Sequence, residues 1–363
     1  MRNNIGIITW HYYPNFGSAL QAYALQHTIE NLGLKVSIIN YHNPKFGEVN
    51  QKRNQLKVLL GNTIGKLPIK RAERFSFASL VFSSKYHHCG SLTTDLDQLA
   101  NLASNYDVIV CGSDQIWAPN VYNPIYFASF AKESIRKVSY AASIGLNDIP
   151  EELVPKYKEH LSDFYAIGIR EQEGKDLLKR KCGIESTVVL DPTLLVDVDT
   201  YKGMQREVKG VKQPYLFCYF LNKDHQYKDR VQQYAKENNL TIVGVSDNAQ
   251  DAEWMTRLTG LGADHFLWLI NHAETVMTDS YHGSIFSLLF HKNLWIFQRF
   301  AEDSPICQNS RIRQLSNYFY LDNRIISANS TIDDSQPIDF NTFEAQLKEL
   351  KDSSIDFLKQ ALQ

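Results

Sequence analysis

Short β-rich apolar runs recur along this chain, and stretches of helical periodicity lie between them. A strand that is apolar along its whole length is covered on both faces, and a parallel sheet flanked by crossover helices provides that cover. The runs IGIITW (5–10), VSIINY (36–41), DVIVCGS (107–113), KVSYAAS (137–143), FYAIGIR (164–170) and TVVLDP (187–192) form one such series. Helices are expected at 17–31, stopped by Gly33, and at 171–181, stopped by Gly183, because glycine tolerates the left-handed conformation that ends a helix. A second series follows Pro214, with strands at 214–220, 241–246, 275–280 and 293–297 and helices near 225–238, 266–272, 283–290 and 311–317. Residues 197–213 are polar, contain glycine and end before a proline, which reads as a linker. Phe343, Leu347, Leu350, Ile355, Leu358 and Leu362 recur at helical spacings and predict a terminal amphipathic helix. A chain of 363 residues exceeds what one core usually serves. The expected division is a domain over 1–200, a second over 201–339, and a helix over 340–363 that packs back on the first. The fold class is α/β, with two parallel-sheet domains.

Charge and cysteine content narrow the function. The formal net charge is −2, so the molecule as a whole has no attraction for nucleic acid or an anionic membrane. An anionic ligand must find a local site. Cys89, Cys111, Cys182, Cys218 and Cys307 are widely spaced without a C-x-x-C pair, which indicates neither a disulfide framework nor a zinc cluster. The opening apolar run is too short for a signal peptide, and no stretch approaches the roughly 18 apolar residues of a membrane span, so a cytoplasmic protein is expected. Residues 45–74 break the balance, with eight basic side chains against Glu48 and Glu73. They form either a solvated insertion or, with Leu56, Leu59, Leu60, Ile64 and Leu67 between the charges, a surface for peripheral contact with an anionic membrane or a phosphorylated acceptor.

Three strand ends carry candidate chemistry. In TDSYHGSIFSLLF (278–290) a strand ends at Asp279-Ser280 and a helix begins at once with His282, Gly283 and Ser284. Amides at such a helix start favour an anion, beside which His282 would be a proton donor; alternatively, His282 caps the helix or stacks on Tyr281. GSDQIWAPN (112–120) follows another strand, where Ser113, Asp114 and Gln115 can bind sugar hydroxyls and Trp117 can offer a ring face, unless Trp117 belongs to the core. WHYYPNFGSALQAYAL (10–25) contributes Asn15, Gly17 and Ser18, but it contains no G-x-G-x-x-G or phosphate-binding G-x-x-x-x-G-K-[ST] sequence. Arg170 ends the fifth strand and Arg311 begins a helix; guanidinium groups suit phosphate and carboxylate. Asp-x-Asp occurs at 95–97 and 197–199, which chance explains in a chain with 23 aspartates, and no metal is expected.

In order, GIITWHYYPNFGSALQAYAL, GSDQIW, YAASIG, GIRE, VVLDPTLL and TDSYHGSIFSLLFHK, followed by Asn309 and Arg311, resemble the polysaccharide pyruvyl transferase family. The resemblance implies two Rossmann-like halves facing a central cleft, as in GT-B glycosyltransferases. It also implies transfer of a pyruvyl group from phosphoenolpyruvate to two hydroxyls of one sugar, with no further cofactor. His282 matches the motif histidine and would be the general acid; Asp114 would orient or deprotonate the acceptor hydroxyl. Arg170, Ser280, Gly283, Ser284, Asn309 and Arg311 would hold the donor, and Asn15, Gly17, Ser18, Ser113, Gln115 and Trp117 would face the acceptor. Relatives carry an arginine where this chain has Ser280, so a donor-binding charge is either missing or supplied from elsewhere, with Arg311 the expected replacement. The implied acceptor is a lipid- or nucleotide-linked precursor of a capsule or other surface glycan, met in the cytoplasm at the inner face of the membrane. Two alternatives share the two-domain pattern: a glycosyltransferase using a nucleotide sugar, and an inactive glycan-binding member of the family.

Overall fold

A computed structural model of the chain describes residues 4–13, 15–42, 71–222, 227–301, 304, 307–327 and 330–363, with side chains described from residue 78 in the helix that begins at Arg71. The basic segment expected at 45–74 therefore lies outside the described residues, apart from the backbone of 71–74.

The first half opens with β1 (Asn4–Ile8), α1 (Phe16–Asn31), β2 (Lys35–Ile38), α2 (Arg71–Tyr86), α3 (Leu96–Ala103) and β3 (Val108–Cys111). It continues through β4 (Arg136–Ala142), α4 (Val154–Leu161), β5 (Phe164–Ile169), α5 (Gln172–Leu177) and β6 (Thr187–Val188). Helix α6 (Val198–Met204) links it to β7 (Tyr215–Tyr219), α7 (Lys228–Glu237), β8 (Thr241–Val245), β9 (Thr256–Leu258), α8 (Ala263–Asn271) and β10 (Thr275–Thr278). Then follow α9 (Tyr281–Leu289), β11 (Asn293–Phe297), α10 (Ser310–Phe319), β12 (Ile325–Ile326) and α11 (Phe340–Leu362).

Among the described residues the strands form two six-stranded sheets, ordered β2-β1-β3-β4-β5-β6 and β12-β11-β10-β7-β8-β9. All pairings within them are parallel. Every residue of β3, β7 and β10 is buried, as strands covered on both faces require. In each sheet the winding direction reverses once, between β1 and β3 and between β7 and β10. Chain crossings diverge at these points and leave a crevice beyond the carboxyl ends of the strands, where doubly wound sheets bind ligands. Each sheet thus supplies one wall of a site.

A continuous apolar cluster joins the halves, running from Ile5, Val108 and Val138 to Phe217, Val276 and Leu294. Phe16, at the start of α1, stacks on Phe266 of α8 with ring centroids 4.7 Å apart. Helix α11 spans both halves. Its Ala361 carbonyl accepts from Arg136 Nη1 at 3.1 Å and its Ser354 Oγ from the Leu190 amide at 3.0 Å, while Phe343 packs on Phe319 of α10 at 4.7 Å.

The expected linker departs from its reading: α6 lies within it, and Tyr201 and Met204 are buried in the shared core. The helix expected over 171–181 ends its α-helical part at Leu177 and finishes as a wider π turn, Leu178–Cys182, before Gly183 at φ 69°. The strand expected at 187–192 shrinks to Thr187–Val188, because Asp191 already begins a 3-10 turn by accepting from the Thr193 amide.

Candidate active site

The first wall is built where β1 and β3 end. Asn15 caps α1, its Oδ1 accepting from the Ser18 amide. Buried Gln21 fastens the two loops together: Nε2 donates to Thr9 Oγ1 and to the carbonyls of Trp10 and Ser18, and Oε1 accepts from the Ser113 amide. Only glycine fits at 112, where φ is +134° and a Cβ would lie 2.0 Å from the Tyr140 carbonyl oxygen. The next turn presents Asp114 at φ 75°, with Oδ2 accepting from Ser18 Oγ at 2.6 Å and Oδ1 from the Gln115 amide at 2.8 Å.

The opposite wall follows β7, β10 and β11. Asp279 ties two of these ends together by accepting from the amides of Leu221 and Asn222 at 2.7 and 2.8 Å. Ser280 caps α9, its Oγ accepting from the Gly283 amide and its carbonyl accepting from both the amide and Oγ of Ser284. Arg299, just past β11, donates through Nη2 to the Asp279 carbonyl at 2.9 Å, with Nε 3.4 Å from the Asp279 carboxylate.

Between the walls is a cavity of about 340 Å³ lined by Trp10, Tyr13, Asn15, Ser18, Asp114, Gln115, Val121, Leu221, Ser280, Tyr281, His282, Arg299 and Arg311. Its cations are concentrated on the second wall. Arg311 is 8 % exposed, donates Nη2 to Gln308 Oε1 at 3.0 Å and keeps Nε without a partner. Burial, reinforced by repulsion from Arg170 and Arg299, pushes its pKa down to about 10. A guanidinium held against both desolvation and like charge gains most from an incoming anion.

Behind the cavity is a buried ionic network. Asp191, at the end of VVLDP, accepts from Arg170 Nη1 at 2.9 Å and lies 3.4 Å from His282 Nε2. Its other oxygen accepts from the Thr193 amide and Oγ1. Burial favours the neutral acid, but the His282 and Arg170 charges outweigh it and hold this carboxyl well below the usual carboxylate range. Arg170 Nε meets Glu171 at 3.1 Å, and Glu171 accepts from Ser143 Oγ at 2.5 Å. His282 is sealed on its Nε2 side, while Nδ1 lies over the bare backbone of Gly17, where a Cβ would be only 2.1 Å away. Gly17 is thus what admits the imidazole between α1 and α9.

Of the residues named from sequence, the structure brings His282, Asp114, Arg311, Ser280, Asn15, Ser18 and Gln115 to one cavity, with Gly17 against the histidine. Others need correction. Trp117 is fully buried, stacked on Phe127 at 5.2 Å and donating Nε1 to the Tyr126 carbonyl, so its ring is core and offers no face to a sugar. Ser113 is buried as well, its hydroxyl donating to the Ala141 carbonyl. The amides of Gly283 and Ser284 are consumed by the Ser280 cap and are not free for an anion. Asn309 donates Nδ2 to the Phe300 carbonyl, steadying the segment after Arg299. Arg170, 2 % exposed and absent from the cavity lining, supports the site from behind, with its guanidinium carbon 4.8 Å from the Tyr281 ring. Sequence reasoning missed Asp191, Glu171 and Arg299; the first two stand in the quoted VVLDPTLL and GIRE runs, and Arg299 follows a predicted strand. Among the described residues no group of three His, Cys, Asp or Glu side chains is placed to hold a metal ion.

Two parallel doubly wound sheets with a cationic cleft between their switch points define a GT-B-like protein of the glycosyltransferase and sugar-nucleotide epimerase architecture. The fold is shared with the UDP-GlcNAc 2-epimerase of Methanocaldococcus jannaschii (TM-score 0.53, 12 % identity, 96 % of this chain and 92 % of that one). It is shared too with the UDP-N-acetylglucosamine 2-epimerase of Rickettsia bellii (0.52, 10 %, 100 % and 97 %). An α-glucosyltransferase solved in complex with UDP aligns at TM-score 0.50 and 11 % identity, over 100 % of this chain and 95 % of that one. No curated protein matches the chain in sequence. The polysaccharide pyruvyl transferase family profile matches residues 15–297, and the chain belongs to that family.

Proposed function

We propose that the protein transfers the pyruvyl group of phosphoenolpyruvate to two hydroxyls of one sugar in a cell-surface polysaccharide precursor, forming a cyclic ketal and releasing phosphate. The observation that carries this reading is the convergence of Arg299, Arg311 and His282 on one wall of a cavity whose other wall presents Asp114. Phosphoenolpyruvate has two anionic groups and needs a proton at its methylene carbon, and this cavity offers two guanidiniums and an imidazole. Arg299 takes the part of the arginine that relatives carry at the position of Ser280, together with Arg311.

The chemistry follows from the placement. His282 delivers a proton through Nδ1, the nitrogen turned away from Asp191, to the methylene carbon, so that positive charge develops at C2 of the donor. A sugar hydroxyl held by Asp114 attacks C2 and loses its proton; the C2–O bond to phosphate breaks; the second hydroxyl closes the ring. Of the two hydroxyl protons released, one restores His282 and one leaves on phosphate. Arg299 and Arg311 offset the charge that builds on the departing phosphate, an effect that is large where water is excluded. Asp191 is a positioning residue whose carboxylate backs the imidazole at 3.4 Å on the Nε2 side.

The acceptor we infer is attached to a lipid or nucleotide carrier and is met at the inner face of the membrane. No helix among the described residues is long and apolar enough to cross one. The test is phosphate release from phosphoenolpyruvate by the purified full chain with a panel of glycan precursors. Acceptor-dependent release is expected, falling by about two to four orders of magnitude in His282→Ala. Arg311→Ala and Arg299→Ala should raise the phosphoenolpyruvate concentration needed for half-maximal rate. Release that is insensitive to all three substitutions would refute the assignment.

A further inference from the structure

Beyond the carboxyl ends of β7 and β8 lies a second cavity, of about 450 Å³. It shares Asn15 and Leu221 with the arginine-bearing cavity, so the two are contiguous. Their charges are opposed. Among the described lining residues the first carries Arg299, Arg311 and His282 against Asp114, whereas the second carries Asp247 and Asp251 against Lys228. Asp251 is 5 % exposed and fixed in the wall, where it accepts from Ser246 Oγ and from Trp254 Nε1 at 3.1 Å. That bond locks the half-buried Trp254 onto the cavity, which Phe220 and Tyr227 also line.

We propose that this second cavity is a subsite for an uncharged saccharide unit of the acceptor. Aromatic side chains offer apolar surface to the C–H faces of a pyranose, and carboxylates and amides accept and donate to its hydroxyls. The same wall selects against a phosphorylated carrier. Lys228, at the start of α7, is the one lining cation among the described residues, in a lining that also holds two carboxylates. Among the described residues a nucleoside diphosphate would find fewer cationic partners here than in the adjoining cavity. The saccharide thereby enters from the acidic side, and the anionic donor is kept on the arginine side with the reacting hydroxyls at the Asn15–Leu221 boundary. This assignment of sides rests on the donor reading above.

The test is a glycan array of neutral, sialylated and phosphorylated oligosaccharides probed with the full chain, with UDP as competitor. Phosphoenolpyruvate binding is measured separately by titration calorimetry. Retention of neutral oligosaccharides is expected, with affinity about tenfold or more weaker in Trp254→Ala. Asp247→Lys, at an exposed position that leaves the core intact, should also weaken it, while UDP fails to compete. The proposal is overturned if the wild type holds no neutral glycan, if binding survives both Trp254→Ala and Asp247→Lys, or if UDP displaces the glycan. Neutral glycan binding without phosphoenolpyruvate binding would sink the donor reading and leave the saccharide subsite standing.

Discussion

Replacing Gly17 with alanine tests the construction of the site without requiring its acceptor. In α1 the new Cβ would lie 2.1 Å from His282 Nδ1 and 2.6 Å from Cγ, where ordinary contacts begin at 3.4 Å. The imidazole must retreat by more than 1 Å, yet its far side is held by Asp191 at 3.4 Å. Overpacking of this kind costs about 1–3 kcal/mol. Alanine in a helix is otherwise favoured over glycine by up to about 1 kcal/mol. The sign of the effect therefore depends on the ring: Gly17→Ala should destabilise the wild type and should be neutral or stabilising in a His282→Ala background. Chemical denaturation of the four proteins in this double-mutant cycle gives the coupling directly, expected at about 1–3 kcal/mol. A displacement of this size at the proposed proton donor also predicts a loss of about 100-fold in turnover. Equal effects of Gly17→Ala with and without His282 would show that the two residues do not meet and would refute the arrangement.

Two further outcomes follow from the same network. Asp191→Asn leaves buried Arg170 with Glu171 as its remaining ion-pair partner and should cost about 3–5 kcal/mol near neutral pH. Because the folded-state pKa of Asp191 lies below its ordinary value of 3.8, its contribution is present above about pH 3.8 and is lost as pH falls further. Urea denaturation across that range should thus find the gap between wild type and Asp191→Asn narrowing below pH 3.8; a constant gap would contradict the ion pairing. Ser280→Ala removes the side-chain cap on the Gly283 amide and should destabilise the protein by about 0.5–2 kcal/mol, read by thermal or chemical denaturation.

Legibility in the sequence followed the length of each signal. Strands such as 108–111 are continuous apolar runs and can be read by composition alone. β9 and β12, of three and two residues, carry no pattern long enough to register, and they form because neighbouring strands already offer paired edges. His282 and Asp114 were visible because each follows an apolar strand in a polar run, a position that a parallel sheet turns into a crevice. Arg170 satisfies the same rule, yet its strand end is turned into the network of Glu171 and Asp191 and not into the cavity. Trp117 failed for the reverse reason, since an irregular segment has no period to say which side is inside.

The sequence by itself determined that this chain winds two parallel sheets, and that polar residues gather at their carboxyl ends, because local hydrophobic runs and helix signals act over a few residues. Only the tertiary structure decided which of those polar residues share a cavity. Asp191 and His282 belong to different sheets, and Gly17 reaches His282 from a third segment. Their meeting is set by the apolar seam that locks the two halves face to face, and by the absence of a single Cβ at the point of closest approach.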